Sequence, residues 1–316
     1  MTVIAMTSTD LQYSMMKYLW SQFVPAFRAR GFTRKSVLDV SSTVAETGQT
    51  AKVTIAQKMT AANLTDGATK VLTDLPPLVA EVSLTQDIYN AFGVTDLAAS
   101  LIAGQPTLPA IVQGAMNGVL DAIEEVIVTS IADNVPSANT IGSSSAAMTE
   151  ALAIQAGNLL VQNYMPQEAY YGLLAPTAGA WGAFSQIDRV SWAQIRGPAQ
   201  NSLVIGPPDS FDYEVQYNGG LWSRSQLVQA VTVSGSSECA NIVWHPMASA
   251  VAIRPPKLPT VGVGCIARNF LDAKSGIALQ MSTLYNKDTL SEEMVIRTLL
   301  GVAPCQVAWS AMIVSN

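Results

Sequence analysis

His245 is the only histidine in the chain, and Pro246 follows it at once. A Ser–His–Asp or Cys–His nucleophilic site would have to use it, as would a mixed Cys/His zinc site. No serine sits in a G-x-S-x-G elbow, since Gly142-Ser143-Ser144-Ser145 lacks the second glycine. A single histidine inside an apolar run is ordinarily a packed or hydrogen-bonded structural residue, and His245 is read as one. The carboxylate pairs Glu124-Glu125 and Glu292-Glu293 fall on helix-like stretches, where adjacent side chains diverge. Each pair reads as a solvated face and not as an acid/base couple. Gly262-Val-Gly264-Cys-Ile-Ala267 fits the relaxed dinucleotide pattern G-x-G-x-x-A. That pattern needs a buried strand before it and a helix after it. The preceding Arg254-Pro-Pro-Lys-Leu-Pro denies a central strand its ladder bonds. No Walker A sequence, EF-hand loop or HExxH is present. The expectation is a non-enzyme, with no catalytic, cofactor-binding or metal-ligating residue assigned.

The elements that would have to position any chemistry are mixed helices and strands, with no repeat of fixed period, so the class is α+β. Residues 1–40 open with an apolar and aromatic cluster running from Leu11 to Phe23, a candidate helix ending near Pro25. The segment Ala51–Gln57 alternates apolar and polar residues, and a second such run, Thr69–Leu72, follows an Asp66-Gly67 turn. Together they read as a long hairpin-like loop extending from the body, because neither strand is apolar enough to be buried alone. A short strand follows at Ala80–Leu84. From Thr107 to Ile131 the residues Val112, Met116, Val119, Ile123, Val126 and Ile127 recur at spacings of three and four, which predicts one long amphipathic helix stopped near Pro136. The polar run 137–145 reads as a linker. A second helix is expected around Leu152–Tyr164, a buried strand at Ala169–Ala175, and a helix after Pro176. Beyond these come short strands separated by turns at Pro207-Pro208 and Asn218-Gly219-Gly220, then two late apolar runs at Ala240–Ile253 and Val307–Val314.

Composition narrows the function further. Hydrophobic residues make up 49% of the chain and charged ones only 13%, about half the share in ordinary soluble domains. So little charge leaves much of the surface to be covered by lipid or by more protein. Lipid fits poorly. The uncharged stretch Leu97–Leu120 contains Gln105, Pro106, Pro109, Gln113 and Asn117, and Ala169–Ile187 is interrupted by glycines and Pro176. The start, MTVIAMTSTD, carries no basic segment before an apolar one, so no secretory signal is expected. Cys239, Cys265 and Cys305 are odd in number and widely spaced, which predicts buried thiols in a reducing compartment. The net charge of −6 is uneven: residues 1–58 hold seven basic and three acidic side chains, and the remainder hold ten and twenty. A basic arm on an acidic body is suited to docking on a neighbouring copy of that body.

The run Asn241-Ile-Val-Trp-His-Pro-Met-Ala-Ser-Ala-Val-Ala-Ile-Arg-Pro-Pro resembles a pattern of tailed-phage coat proteins, in which an apolar pair, an aromatic and His precede an Ala-rich run and Arg-Pro. Ser275-Gly-Ile-Ala-Leu-Gln280, Leu284-Tyr285, Leu300-Gly-Val302 and Gly172-Leu-Leu-Ala-Pro176 resemble further segments of that family in the same order, and the likeness covers most of residues 40–316. The resemblance implies the Hong Kong 97-type capsid fold. Residues 1–40 would be the N-terminal arm, 41–79 the extended loop, 80–144 the peripheral domain with its spine helix, 145–240 the axial domain, and 241–316 the return to the peripheral domain. No large N-terminal scaffolding segment and no insertion domain are expected.

Such a protein is structural. Its partners would be copies of itself as hexamers and pentamers, with scaffolding, portal and decoration or cement proteins as further candidates and packaged DNA held non-specifically, without a membrane. It would be assembled in the host cytoplasm and reside in the virion capsid. Contacts between subunits are expected at Arg28, Arg30, Arg34, Lys35, Lys52, Lys58, Asp66, Gly67 and Lys70. The alternatives are an encapsulin-type nanocompartment shell of the same fold, and an α+β oxidoreductase using residues 262–267.

Overall fold

The computed structural model describes residues 33, 36–44, 50–55, 78–95, 107–143, 146–166, 170–186, 215–230, 239–259, 265–272, 276–286, 288 and 291–315. Two six-stranded sheets and two main helices organise them. Strands are numbered in chain order. The first sheet contains β1 (Leu38–Asp39), β4 (Gln86–Thr95), β10 (Ser249–Arg254), β11 (Cys265–Asp272), β12 (Ile277–Asn286) and β13 (Ser291–Pro304). The second contains β5 (Thr140–Gly142), β6 (Tyr170–Leu174), β7 (Val215–Tyr217), β8 (Gly220–Arg224), β9 (Cys239–Trp244) and β14 (Ser310–Ser315). A separate antiparallel ribbon pairs β2 (Thr50–Ile55) with β3 (Leu78–Ser83).

The long β13 is the axis of the first sheet. One edge pairs antiparallel with β4 from Ser291 to Leu300. The other edge is shared, with β12 against Ser291–Arg297 and β10 against Leu299–Pro304. The Glu292-Glu293 stretch, expected on a helix, is therefore strand. Glu, Met, Leu and Arg favour a helix locally, but ladder partners on both edges outweigh that preference. Alternation along β10 explains its composition. Val251 and Ile253 point to a core shared with helix α1 (Thr107–Asp133), whereas Ala250 and Ala252 point to the other side, into the core that holds Ala51 and Val82 of the ribbon.

Helix α1 matches the expected Thr107–Ile131 within two residues. Its buried side chains Met116, Val119, Leu120, Ile123, Ile127, Val128 and Ile131 pack with Val251, Ile296 and Leu300 of the first sheet and with Ile242, Trp244 and Met312 of the second. The helix is thus the common core of both sheets. Asp121, Glu125 and Asp133 stay exposed on its other side, whereas Glu124 is buried. The reading of Glu124-Glu125 as one solvated face holds only for Glu125.

The second sheet is covered on its far face by helix α2 (Glu150–Gln162). Ala153, Ala156 and Leu160 of the helix join Trp222, Phe184, Val243 and Ile313 in a second core. Thr149 caps the helix by accepting the Leu152 N–H at 3.3 Å. At the other end Tyr164 adopts φ 62°, and the N–H groups of Tyr164 and Met165 return to the carbonyls of Val161 and Leu160. This is a Schellman stop with tyrosine in the place glycine usually takes. The Asn218-Gly219 pair, at φ 49° and 80°, forms the two-residue turn that joins β7 to β8.

The polar run expected to be a linker contains β5, which pairs parallel with Met312–Val314. A side chain at Gly142 would meet the Val314 carbonyl oxygen at 2.3 Å, so the polypeptide lies directly on its partner. The boundary read at residue 240 falls inside β9, and the last strand, β14, lies beside it in the second sheet. The helix read near Pro25 and the run Thr69–Leu72 lie outside the described residues.

Candidate assembly surfaces

His245 stands where the chain leaves the second sheet for the first. Its imidazole is buried, and Nδ1 accepts the Met247 N–H at 3.3 Å. The backbone N–H of His245 donates to the Trp309 carbonyl at 3.0 Å, and the two rings meet edge to face at 5.2 Å. The residue caps the short turn Pro246–Ala248 and locks it to the corresponding turn Val307–Trp309. Asn241, in the same motif, is buried on β9. Its amide donates to the Ile313 carbonyl at 3.0 Å and the Ser315 hydroxyl at 2.9 Å, while its oxygen accepts the Ala175 N–H at 2.8 Å. Both residues hold strands together.

The residues after the G-x-G-x-x-A pattern form strand β11, antiparallel to β12, and not the helix a dinucleotide site requires. Gly262 and Gly264 lie outside the described residues. Burial pushes the Cys305 thiol above its ordinary range, which disfavours the thiolate. Among the described residues no group of three His, Cys, Asp or Glu side chains could hold a metal ion, and no helix is long and apolar enough to cross a membrane.

What remains are surfaces. The ribbon has one apolar face, made by Ala51, Val53 and Ile55 opposite Val82, Ala80 and Leu78. Near its root Ala51 and Val82 join Leu84, Leu299, Ala303, Ala250 and Ala252 in a third core, on the side of the first sheet away from α1. Gly301 makes this seating possible, because a side chain there would lie 2.3 Å from the Ser83 carbonyl oxygen. At the other end of the ribbon Leu78 and Val79 are exposed. Lys52 pairs with Glu81 across the ribbon at 3.3 Å, both side chains open to solvent. Of the nine residues expected to contact neighbouring copies, only Lys52 is described. Arg28, Arg30, Arg34, Lys35, Lys58, Asp66, Gly67 and Lys70 lie outside the described residues.

Among the described residues the ribbon covers only one half of that face of the sheet. On the other half Tyr89 is 69% exposed opposite Arg297, and Leu284 is exposed opposite Glu293. Arg297 is tied to Asp87 at 2.7 Å. Leu271 on β11 is 69% exposed as well. Sequence reasoning missed this surface. The available signal was the alternation Asp87-Ile-Tyr-Asn-Ala-Phe92, in which Ile88 and Phe92 pack inward and Tyr89 is left outside.

No protein-family model and no curated protein matches the sequence. Solved structures do match. A chain of Mycobacterium phage Che8 aligns with a TM-score of 0.55 and 12% identity over 90% of both chains. A chain from the capsid structure of cyanophage P-SCSP1u gives 0.54 and 14%, over 89% of this chain and 86% of that one. A chain from the mature capsid of bacteriophage PhiM1 gives 0.52 and 13%, over 90% and 87%. The chain therefore has the α+β fold found in phage capsid structures.

Proposed function

We propose that this chain is the major capsid protein of a tailed bacteriophage, a structural protein whose copies close into an icosahedral shell of hexamers and pentamers around packaged DNA. The observation that carries this is the fold held in common with the capsid chains of P-SCSP1u and PhiM1 over about nine-tenths of the sequence. The half-covered first sheet and a ribbon whose apolar face ends on an exposed Leu78 support it, because both are surfaces a second copy would finish. On this reading residues 1–40 are the arm, 41–79 the extended loop, 80–144 the peripheral domain with α1 as its spine, 145–240 the axial domain and 241–316 the return segment. The arm and loop side chains Arg28, Arg30, Arg34, Lys35, Lys52, Lys58 and Lys70, with the Asp66-Gly67 turn, contact adjacent subunits. Each exposed ion pair contributes only about 0–1 kcal/mol, and the many copies in a closed shell multiply such weak contacts. Scaffolding, portal and decoration proteins are the further partners, and DNA is enclosed without sequence-specific recognition.

The test retains both ribbon strands and replaces residues 57–76 by a short Gly-Ser turn. Circular dichroism and thermal unfolding should match the unaltered protein, while electron microscopy shows no closed shells. Normal shells from the shortened protein would overturn the loop assignment. Particles of the full chain should carry nuclease-protected DNA, whereas particles filled with protein cargo and no DNA would favour the encapsulin-type alternative. A protein that stays monomeric in virion material would overturn the shell reading itself.

A further inference from the structure

Glu124 occupies a core position. Its helical neighbours Leu120 and Val128, one turn away on either side, are both 1% exposed, and Ile123 and Ile127 beside it are as deeply buried. A carboxylate among such side chains is costly unless a donor meets it, and a leucine there would cost nothing comparable. One donor that meets it is the backbone N–H of Thr33, 3.1 Å from Oε2 and 91 positions earlier in the sequence. Thr33 is itself buried. Downstream, the chain touches a different layer at nearly every step. Ser36 turns back on the Thr33 carbonyl through both its N–H and its hydroxyl, and its own carbonyl accepts the Trp244 indole N–H of the second sheet at 3.0 Å. Val37 enters the core around α1, and β1 then pairs parallel with β10 in the first sheet. Ser41 accepts the Ile253 N–H at 2.9 Å, and the Val44 carbonyl accepts the Arg254 guanidinium.

We infer that Glu124 is a positioning residue: it latches the chain at Thr33 onto α1 and so fixes the point on the body to which the upstream basic segment is joined. From Ser36 onward the chain is held by both sheets. At Thr33 it is held to the helix, so the Glu124 contact fixes where residues 1–32 are tethered. This rests on the shell reading, in which that arm must arrive at a neighbouring subunit.

The experiment compares Glu124→Leu, Glu124→Gln and Thr33→Pro in the full-length chain. Leucine suits the buried helical site but accepts no hydrogen bond, glutamine keeps an acceptor oxygen, and proline removes the donor without touching α1. Brief trypsin digestion of the unassembled protein reads cleavage after Arg34 and Lys35. Glu124→Leu and Thr33→Pro should raise that rate about ten- to hundredfold, the factor expected on losing one hydrogen bond to a charged acceptor. Glu124→Gln should stay within about threefold of the parent. Equal rates in the parent, Glu124→Leu and Thr33→Pro would overturn the latch. Should Glu124→Leu fail to fold by circular dichroism, Thr33→Pro carries the test from the donor side. Shell formation is scored separately. Fast cleavage with normal shells would overturn the positioning role and leave the shell reading intact, whereas a parent protein that forms no shells would overturn the shell reading while the cleavage contrast still tests the latch.

Discussion

The two sheets are finished to different degrees. The second is closed by the chain itself: α1 covers one face, α2 and the aromatic cluster Tyr170, Phe184, Tyr217 and Trp222 cover the other, and Asn241 ties its central strands to the residue after β6. Among the described residues the first sheet has α1 on one face but only the root of the ribbon on the other, and Tyr89 and Leu284 stand exposed on that second face. Folding pressure alone would favour covering both. The difference teaches that the second sheet is packed by the subunit's own helices, while part of the first presents apolar side chains to the outside.

The largest expected effect is on the closed sheet. Replacing Asn241 by Leu removes three hydrogen bonds and leaves the buried Ala175 N–H without its acceptor. Urea unfolding should report a loss of about 3–5 kcal/mol. A loss below about 1 kcal/mol would mean that the second sheet is not held as its geometry implies. Next comes the covered half of the first sheet. Gly301→Ala forces a methyl group onto the Ser83 carbonyl, which is polypeptide backbone and gives way only if the ribbon lifts. A cost of about 2–3 kcal/mol is expected, together with faster hydrogen exchange of the β2–β3 amides.

Alkaline pH separates the sheets by titration. Burial is the main cause that pushes Tyr170 in the second core from an ordinary value of 10.0 up to about 12. The folded form thus holds the phenolic proton more tightly than the unfolded chain, so its contribution is complete below pH 10 and is lost as the pH rises through 12. That loss amounts to at most about 2–3 kcal/mol. Tyr170→Phe also removes the hydroxyl's bond to the Asn218 carbonyl, so it should be less stable than the parent by about 1 kcal/mol at pH 9. The gap should narrow above pH 10 and reverse by pH 12 in urea titrations. A gap independent of pH would place the hydroxyl in water.

How much of this could be read from the sequence depends on whether the signal is local. Helix α1 was legible because the three-and-four spacing from Val112 to Ile127 is sustained too long for any other regular structure, and the Asn218-Gly219 turn because that pair tolerates the positive φ angles it needs. The role of His245 as a packed residue was legible from its setting, though not its lock on Trp309. Three features were not legible, each for a long-range reason. Glu124 looked solvated because the N–H that meets it comes from Thr33. The Glu292-Glu293 stretch looked helical because β4, which pairs with it along one edge, lies far upstream in the chain. The polar 140–142 segment looked like a tether because its partner, β14, is the last strand of the chain. The assembly surface was the hardest. Lys52 was expected to meet a neighbouring copy, yet its pairing with Glu81 depends on the ribbon register, which the intervening loop length conceals.

The smallest effect on folding is the most informative about the open half of the first sheet. Tyr89 and Leu284 lie on the face away from α1, and both are exposed in the isolated subunit. Replacing Tyr89 by Ser and Leu284 by Thr therefore removes little that the subunit uses for its own stability. Thermal unfolding of the double variant should stay within about 0.5 kcal/mol of the parent. If the open half meets a neighbouring copy, the same two changes delete apolar contact at every equivalent interface, and a small loss per contact is repeated over the whole particle. Sedimentation should then show subunits where the parent gives shells, at equal protein concentration and salt. Unchanged shells would show that this half faces solvent in the assembled state. A large loss of subunit stability would mean instead that Tyr89 and Leu284 already belong to the subunit's own core, and the contrast between the two sheets would fail.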